Sequence, residues 1–444
     1  MNPVIIVGAG WAGLAAAVEL ARRDIPVQIL EAATVAGGRA RSFAHDGLIT
    51  DNGQHLMLGA YDQTLQLLTD VGVDAATVLR RVPLHLQSYD LDGRRYNVQA
   101  PKLPAPLHLV WAMLRAQGFN FAERRAMLQA SLHMRATKFS LVDDMTVTEW
   151  LSTLKQPKSV VEKWWEPLCL AALTTPIQKA SAKVFLRVLR DAFAQHRAAS
   201  DLLYFRVPLA DVLPQPAMNF IEARGGQIHL GCRVESVQSE TGSVCVKTID
   251  GREWLGSQLI LATTSLQARR LLQPYYDDGL ETLLSQLAAH FYAPICTTYV
   301  QLAAPVNLPQ PMVGLLGTLA QWVFDLGYSG QPGRIAIVVS GEGKHMALAI
   351  PQYEEKILGE LSRVFPHWPA VMNVTTIREK RAVLSMRVDI DRLRPSNETP
   401  LPRVWLAGDY TDTGYPSTLE GAVRSGRSAA SLVRRFFERE GLSL

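Results

Sequence analysis

The run Val4-Ile5-Ile6-Val7-Gly8-Ala9-Gly10-Trp11-Ala12-Gly13 decides the fold. Four β-branched residues predict a buried strand that feeds Gly8, and the alanine-rich stretch from Leu14 to Arg23 predicts a helix. Val27-Gln28-Ile29-Leu30 predicts a second strand, closed by Glu31. Gly10 lets the backbone approach a pyrophosphate, and Gly13 lets the helix pack close against the strand. The helix N-terminus then turns its free N–H groups towards the anion. The Glu31 carboxylate is placed to accept hydrogen bonds from both ribose hydroxyls of an adenosine. Strand, turn, helix, strand and acid fall in place within about thirty residues, which reads as a dinucleotide-binding start.

Six residues after the acid comes a second glycine turn, Gly37-Gly38-Arg39-Ala40-Arg41. A nicotinamide site needs nothing there. A longer cofactor lying extended along the chain does, with Arg39 or Arg41 reaching its phosphates as a planar, permanent cation. This arrangement resembles the flavin-binding start of the amine oxidase and phytoene desaturase superfamily. The far end of the chain agrees. Val404-Trp405-Leu406-Ala407-Gly408-Asp409 reads as a short buried strand ending in a glycine and an acid, and Pro416-Ser417-Thr418-Leu419-Glu420-Gly421-Ala422 opens a helix running to about Glu438. The resemblance implies that Asp409, after Gly408, contacts the ribityl–pyrophosphate portion of the cofactor. It also implies that the backbone of Thr418 and Leu419 faces the isoalloxazine carbonyl, where a helix N-terminus stabilises the negative charge of reduced flavin. The expected cofactor is FAD, held by Gly8, Gly10, Gly13, Glu31, Gly38, Arg39, Val234, Gly408, Asp409, Thr418 and Leu419. Val234 enters by resemblance alone, through a backbone contact to adenine.

Composition bounds the rest. The length of 444 residues suggests two or three domains, and 48% apolar residues suffice for a large core. The formal charge of +4 is too mild and too scattered for a nucleic-acid partner. Cys169, Cys232, Cys245 and Cys296 show no metal spacing, so no metal is expected and the thiols fit a reducing compartment. No cationic, apolar leader precedes the first strand, and no apolar run approaches the roughly 18–20 residues of a membrane span. The expected location is cytoplasmic or peripheral on the inner face of the cytoplasmic membrane.

The organisation reads as α/β. A Rossmann-like FAD-binding domain of the GR2 type is assembled from residues 1–80, 208–271 and 395–444. Residues 81–207 and 272–394 form an α+β substrate-binding domain. In the middle cofactor segment a helix from Asp211 to Gly225-Gly226 precedes strands at 227–230, 232–238, 243–249 and 252–263, with turns at Glu240-Thr241-Gly242 and Asp250-Gly251. The substrate segments predict helices Leu107–Arg115, Phe121–Phe139, Val147–Leu154, Val160–Leu173, Ala182–Arg197 and Gln352–Phe365. They predict strands Ile295–Leu302, Leu319–Asp325, Arg334–Ser340 and about Val374–Ala382.

Two features speak to the substrate. Residues 101–142 hold six basic residues (Lys102, Arg115, Arg124, Arg125, Arg135, Lys138) against one acid, Glu123, interleaved with Trp111, Met113, Phe119, Phe121, Met127, Met134 and Phe139. That pattern fits either a solvated helix pair or an interfacial pair lying on anionic lipid. The charge-poor run Trp164-Trp165-Glu166-Pro167-Leu168-Cys169-Leu170-Ala171-Ala172-Leu173 fits plain core or the wall of an apolar tunnel.

Asp51-Asn52-Gly53-Gln54-His55-Leu56-Met57-Leu58-Gly59-Ala60-Tyr61, together with Pro167–Leu173 and Thr174-Thr175-Pro176, resembles the hydroxysqualene dehydroxylases, also called squalene-associated FAD-dependent desaturases, and the resemblance covers essentially the whole chain. It implies a role in bacterial squalene and hopanoid biosynthesis, the reductive removal of the hydroxyl of hydroxysqualene, a hydrophobic C30 isoprenoid substrate, and association with other enzymes of that pathway. The chemistry needs an acid for a poor leaving group and a water-free wall around an allylic cation, to which reduced FAD delivers hydride. His55 is the candidate catalytic residue, as proton donor or as the group orienting one. Asp51 is expected to tether loop backbone. Two other enzyme readings stay open: a carotenoid or phytoene-type desaturase, with hydride flow reversed, and an amine oxidase. Against the last, no lysine occurs from 248 to 343, where many members of the superfamily carry one near the flavin.

Overall fold

The structure is a computed structural model that describes residues 2–45, 47–240 and 242–441. The expected turn at Glu240-Thr241-Gly242 includes Thr241, which lies outside the described residues, as do residue 1 and residues 442–444 of the outer cofactor segments.

Five strands form one parallel sheet: β1 (Val4–Val7), β2 (Val27–Leu30), β3 (Gln227–His229), β4 (Gln258–Leu261) and β5 (Val404–Leu406), in spatial order β3-β2-β1-β4-β5. Every residue of β1 and β4 is buried, as continuous apolar strands covered on both faces must be. Helix α1 (Trp11–Ala21) returns over this sheet, and the long C-terminal helix Leu419–Arg439 packs along α1. Three far-separated stretches of chain therefore share one sheet and one core of α1, sheet and C-terminal residues such as Ile6, Leu14, Ile260, Val423 and Phe437.

The buried carboxylate of Glu420 locks the C-terminal helix in place. It accepts from the Thr64 N–H at 2.8 Å, the Thr64 hydroxyl at 2.7 Å and Arg424 Nε at 2.8 Å.

A second, seven-stranded sheet is mainly antiparallel and runs Val371–Leu384, Tyr292–Leu302, Arg334–Ser340, Trp322–Asp325, Met312–Leu316, His85–Asp90, Arg95–Gln99. One face carries helix Ile350–Val364. The other looks towards a helical group that includes α2 (Leu107–Leu114), α3 (Phe121–Ala136), α4 (Glu166–Leu173) and α5 (Ala182–Phe193). Capping boxes at Asn120/Glu123 and Thr146/Glu149 start α3 and the short helix Val147–Thr153, satisfying amides that would otherwise be left without partners.

Two expectations need correction. The strand expected over 252–263 is two strands. Glu253–Gly256 pairs antiparallel with Ser243–Thr248, whereas β4 enters the parallel sheet. The chain passes between the sheets at Gly256-Ser257, and that small polar pair inside the stretch is the local signal of the break. Strands His85–Asp90, Arg95–Gln99 and Met312–Leu316 were not expected. His85–Asp90 mixes polar residues into both faces and Met312–Leu316 is buried throughout, so these two lack the alternation of a half-buried strand. Arg95–Gln99 does alternate, with Tyr96 and Val98 buried between Arg95, Asn97 and Gln99, but it is short and follows the Asp92-Gly93 turn.

Candidate active site

Where β1 meets α1, Gly8 adopts φ +110° and donates its N–H to the Leu30 carbonyl at 2.8 Å. Gly10 caps α1 without any side-chain hydrogen bond, and the first turn holds no acid. The free N–H groups of α1 thus open, uncapped, into a cavity of about 390 Å³. Gly8, Gly10, Glu31, Gly38, Arg39, Val234, Gly408, Asp409, Thr418 and Leu419 all line it, with His55 at one end. Gly13 lies beneath it, packed on the Gly8 carbonyl.

The polar groups of the cavity are already engaged with one another. Glu31 accepts from the Ala9 and Ala33 amides at 2.7 Å each, one on each oxygen, which fixes the carboxylate and leaves one lone pair per oxygen facing the cavity. The Val234 carbonyl accepts from Arg270 at 2.8 Å. Arg39 donates to the Ala382 carbonyl at 2.9 Å and pairs with Asp409, which also accepts from Ser417. Burial works against the Asp409 charge, but Arg39, Ser417 and Arg394 outweigh it and hold the carboxyl below its ordinary range. The arginine expected at a phosphate and the aspartate expected at the cofactor thus form one ion pair joining the two ends of the chain. Thr418 caps the C-terminal helix, accepting from the Gly421 N–H at 3.1 Å.

A second cavity of about 280 Å³ adjoins the first, and His55, Val383, Ser417, Thr418 and Leu419 line both. Its walls are largely apolar, among them Leu84, Leu86, Leu168, Leu202, Trp322 and Phe324. Its charges are paired: Arg187 with Asp391, and Asp191 with Arg190 at 2.8 Å. The charge-poor run 164–173 divides between roles, with Leu168, Ala171 and Ala172 on the cavity while Trp165, Cys169 and Leu173 enter the core.

His55 Nδ1 lies 2.7 Å from the Gly53 carbonyl, so Nδ1 carries the proton and Nε2 is left as an acceptor. Desolvation holds the imidazole below its ordinary pKa, against the opposing pull of Gly53 and Asp51. A neutral ring fits orientation of a proton donor better than donation itself. Asp51 Oδ1 accepts from the Leu209 N–H at 3.1 Å and the Ser42 hydroxyl at 2.6 Å, tying loop backbone.

Sequence reasoning did not single out Ser417, Val383 or Tyr61. Ser417 and Tyr61 lie inside quoted motifs and Val383 just beyond an expected strand end, so position in a motif was their only signal. Burial keeps the Tyr61 phenol protonated beside the second cavity.

His55, His85, His108, His229, His290 and His345 are all held below the ordinary histidine range, desolvation being the largest cause each time. Each binds its proton more weakly folded than unfolded. The folded state therefore keeps its full stability above about pH 6.5 and loses it progressively as pH falls below that value. Thermal melts from pH 8 to pH 5 should show a falling midpoint; a level or rising midpoint would contradict this.

Uncapped helix, engaged acid, paired glycine turns and a second helix N-terminus together fit an extended flavin dinucleotide, and they define a FAD-dependent oxidoreductase. The chain belongs to the flavin-containing amine oxidoreductase family, whose model matches residues 11–434. It is 29% identical to a hydroxysqualene dehydroxylase of Rhodopseudomonas palustris, covering 97% of this chain and 98% of that protein. It is 22% identical to a 15-cis-phytoene desaturase of Glycine max, covering 97% of this chain and 79% of that protein. In fold it is similar to an oxidoreductase of Methanosarcina mazei, with a TM-score of 0.76 and 14% identity over 97% of this chain and 100% of that one. Among the described residues no group of three or more metal-ligating side chains occurs, and no helix is long and apolar enough to cross a membrane.

Proposed function

We propose that this oxidoreductase acts on a long isoprenoid alcohol, reductively removing the hydroxyl of hydroxysqualene to give squalene, as in hopanoid formation. The observation that carries the reading is the apolar second cavity opening onto the cofactor cavity at His55. The relative named for that activity supports it. Bound FAD in its reduced form supplies the hydride.

The chain does the rest. The aliphatic walls exclude water, so an allylic cation meets no competing nucleophile. His55 Nε2 orients the proton donor that converts hydroxide into departing water. The N-terminus of the C-terminal helix, at Thr418 and Leu419, stabilises negative charge at the neighbouring edge of the site. Residues 1–80, 208–271 and 395–444 serve the cofactor in this reading, and 81–207 and 272–394 the substrate. The protein works in the cytoplasm, against the anionic inner face of the cytoplasmic membrane and beside other enzymes of the squalene pathway.

The test is anaerobic. Holoprotein reduced with dithionite is mixed with hydroxysqualene, with flavin reoxidation followed by absorbance and squalene by mass spectrometry. Matched reoxidation and squalene are expected; neither appearing would overturn the reading. His55→Ala should keep its FAD and lose roughly a hundredfold in turnover, the lower range for a positioned proton-transfer group. Unchanged turnover removes His55 from the mechanism.

The phytoene desaturase relative supports a second reading, in which hydride leaves the substrate. Conjugated polyene absorbance on incubating the oxidised holoprotein with phytoene would favour it.

A further inference from the structure

The second cavity has a neighbour on the side of α2 and α3. Leu168, Leu189 and Phe193 line it and also line a small groove of about 50 Å³ between α2 and α3. The groove's other wall is built from Val110 and Met113 of α2 and Leu128, Ser131 and Leu132 of α3. Around its outer end the surface is unusual. Leu107, Trp111, Leu114, Phe121, Leu132 and Val142 are all exposed, Phe121 at 81% and Val142 at 93%. Six of the sixteen exposed large apolar side chains of the described residues thus fall within 107–142.

The surface charge of residues 101–142 is basic, and the first exposed acid after it is Asp143, beside Val142. Lys102, Arg115, Arg125, Arg135 and Lys138 are exposed. The one acid of the stretch, Glu123, is only 5% exposed, its carboxylate taken by the Asn120 N–H and by Lys163. Nothing acidic from residues 101–142 therefore offsets the cations at the surface. Arg115 lies over the Trp111 ring at 5.0 Å, an amphipathic pair suited to an interface between headgroups and acyl chains.

We infer that α2 and α3 form a portal seated on an anionic bilayer, through which an isoprenoid chain passes from the lipid into the second cavity without crossing water. The occupant of this face is the lipid surface. Exposed apolar side chains enter the acyl boundary, the basic residues meet anionic headgroups, and the groove between the helices continues the hydrocarbon phase inward. The inference rests on the isoprenoid reading for what travels along the path. The docking itself does not depend on that reading.

The experiment uses FAD-loaded full-length protein and sedimentation with phosphatidylglycerol/phosphatidylcholine vesicles or with phosphatidylcholine alone. Wild type should bind the anionic vesicles, and high salt should release it. Arg125→Glu/Arg135→Glu/Lys138→Glu should retain FAD and bind at least about a hundredfold more weakly, at roughly fivefold per basic residue near the surface. Equal binding of the triple variant and wild type overturns the docking, as does a preference for another protein of the pathway over vesicles.

The path is tested with dithionite-reduced holoprotein and hydroxysqualene dissolved in the vesicles, reading the flavin absorbance change of reoxidation as the substrate arrives. Ser131→Trp, and Val110→Trp from the opposite wall, should still bind vesicles and FAD but slow that change by more than an order of magnitude. Unchanged rates in both variants overturn the portal. Vesicle binding with no flavin response in wild type supports the docking face and refutes the isoprenoid reading, so the two failures are distinct.

Discussion

Gly13→Ala should yield protein that no longer retains FAD. A Cβ at Gly13 would stand 2.0 Å from the Gly8 carbonyl oxygen and 3.1 Å from the Ala262 Cβ. The obstacle is backbone, and the backbone concerned is the Gly8–Gly10 turn that lines the first cavity. Relief requires α1 to lift from β1, which moves its uncapped N-terminus away from the first cavity. Overpacking of this kind costs about 3 kcal/mol or more when no flexible side chain can yield. Gly359→Ala serves as the control. It lies in helix Ile350–Val364 with no neighbour near a new Cβ, so the same change should stabilise by about 1 kcal/mol. Flavin content and melting temperature read both. Gly13→Ala protein with full FAD would refute the packing argument.

Asp409→Ala should be the next most damaging change, because it leaves Arg39 charged and partly buried without its partner. Stranding such a charge costs about 3 kcal/mol, and Ser417 loses its acceptor as well. If the damage is the unpaired charge, Arg39→Met in the same protein should recover part of it, and a double-mutant cycle measures how much. An additive double mutant would mean that the pair contributes nothing as a pair.

The pH dependence follows from the same ion pair. The Asp409 carboxyl sits below its ordinary value, so it binds a proton more weakly folded than unfolded. Its contribution is complete above about pH 4 and is lost as pH falls through the lower folded value. Asp409→Ala should flatten that part of the acid limb.

How much of this was legible depended on how local the determinant was. Gly8, Gly10, Gly13 and Glu31 are legible because strand, turn and helix signals fall close together in the chain. Thr418 and Leu419 came from the family resemblance, and the side-chain cap that Thr418 forms on the Gly421 N–H emerged only in the structure. Arg39 and Asp409 were each noticed, but separately, since nothing in either neighbourhood reveals a partner 370 residues away. The run 164–173 could be read as core or as tunnel wall. A helix has two buried faces when one packs on protein and the other borders a cavity, and hydrophobicity does not distinguish them.

The sequence by itself determined the cofactor half: its parallel strands, the two glycine turns, the helix N-termini and hence a flavin dinucleotide. These depend on backbone conformation and on spacing along a few turns of chain, which are written in order. Only the tertiary structure decided that β4 separates β1 from β5, that His55 is desolvated and lines two cavities, and that Leu168, Leu189 and Phe193 border both the second cavity and a groove between α2 and α3. Desolvation, cavity shape and ion pairing arise from groups brought together across hundreds of residues, and no local pattern encodes them.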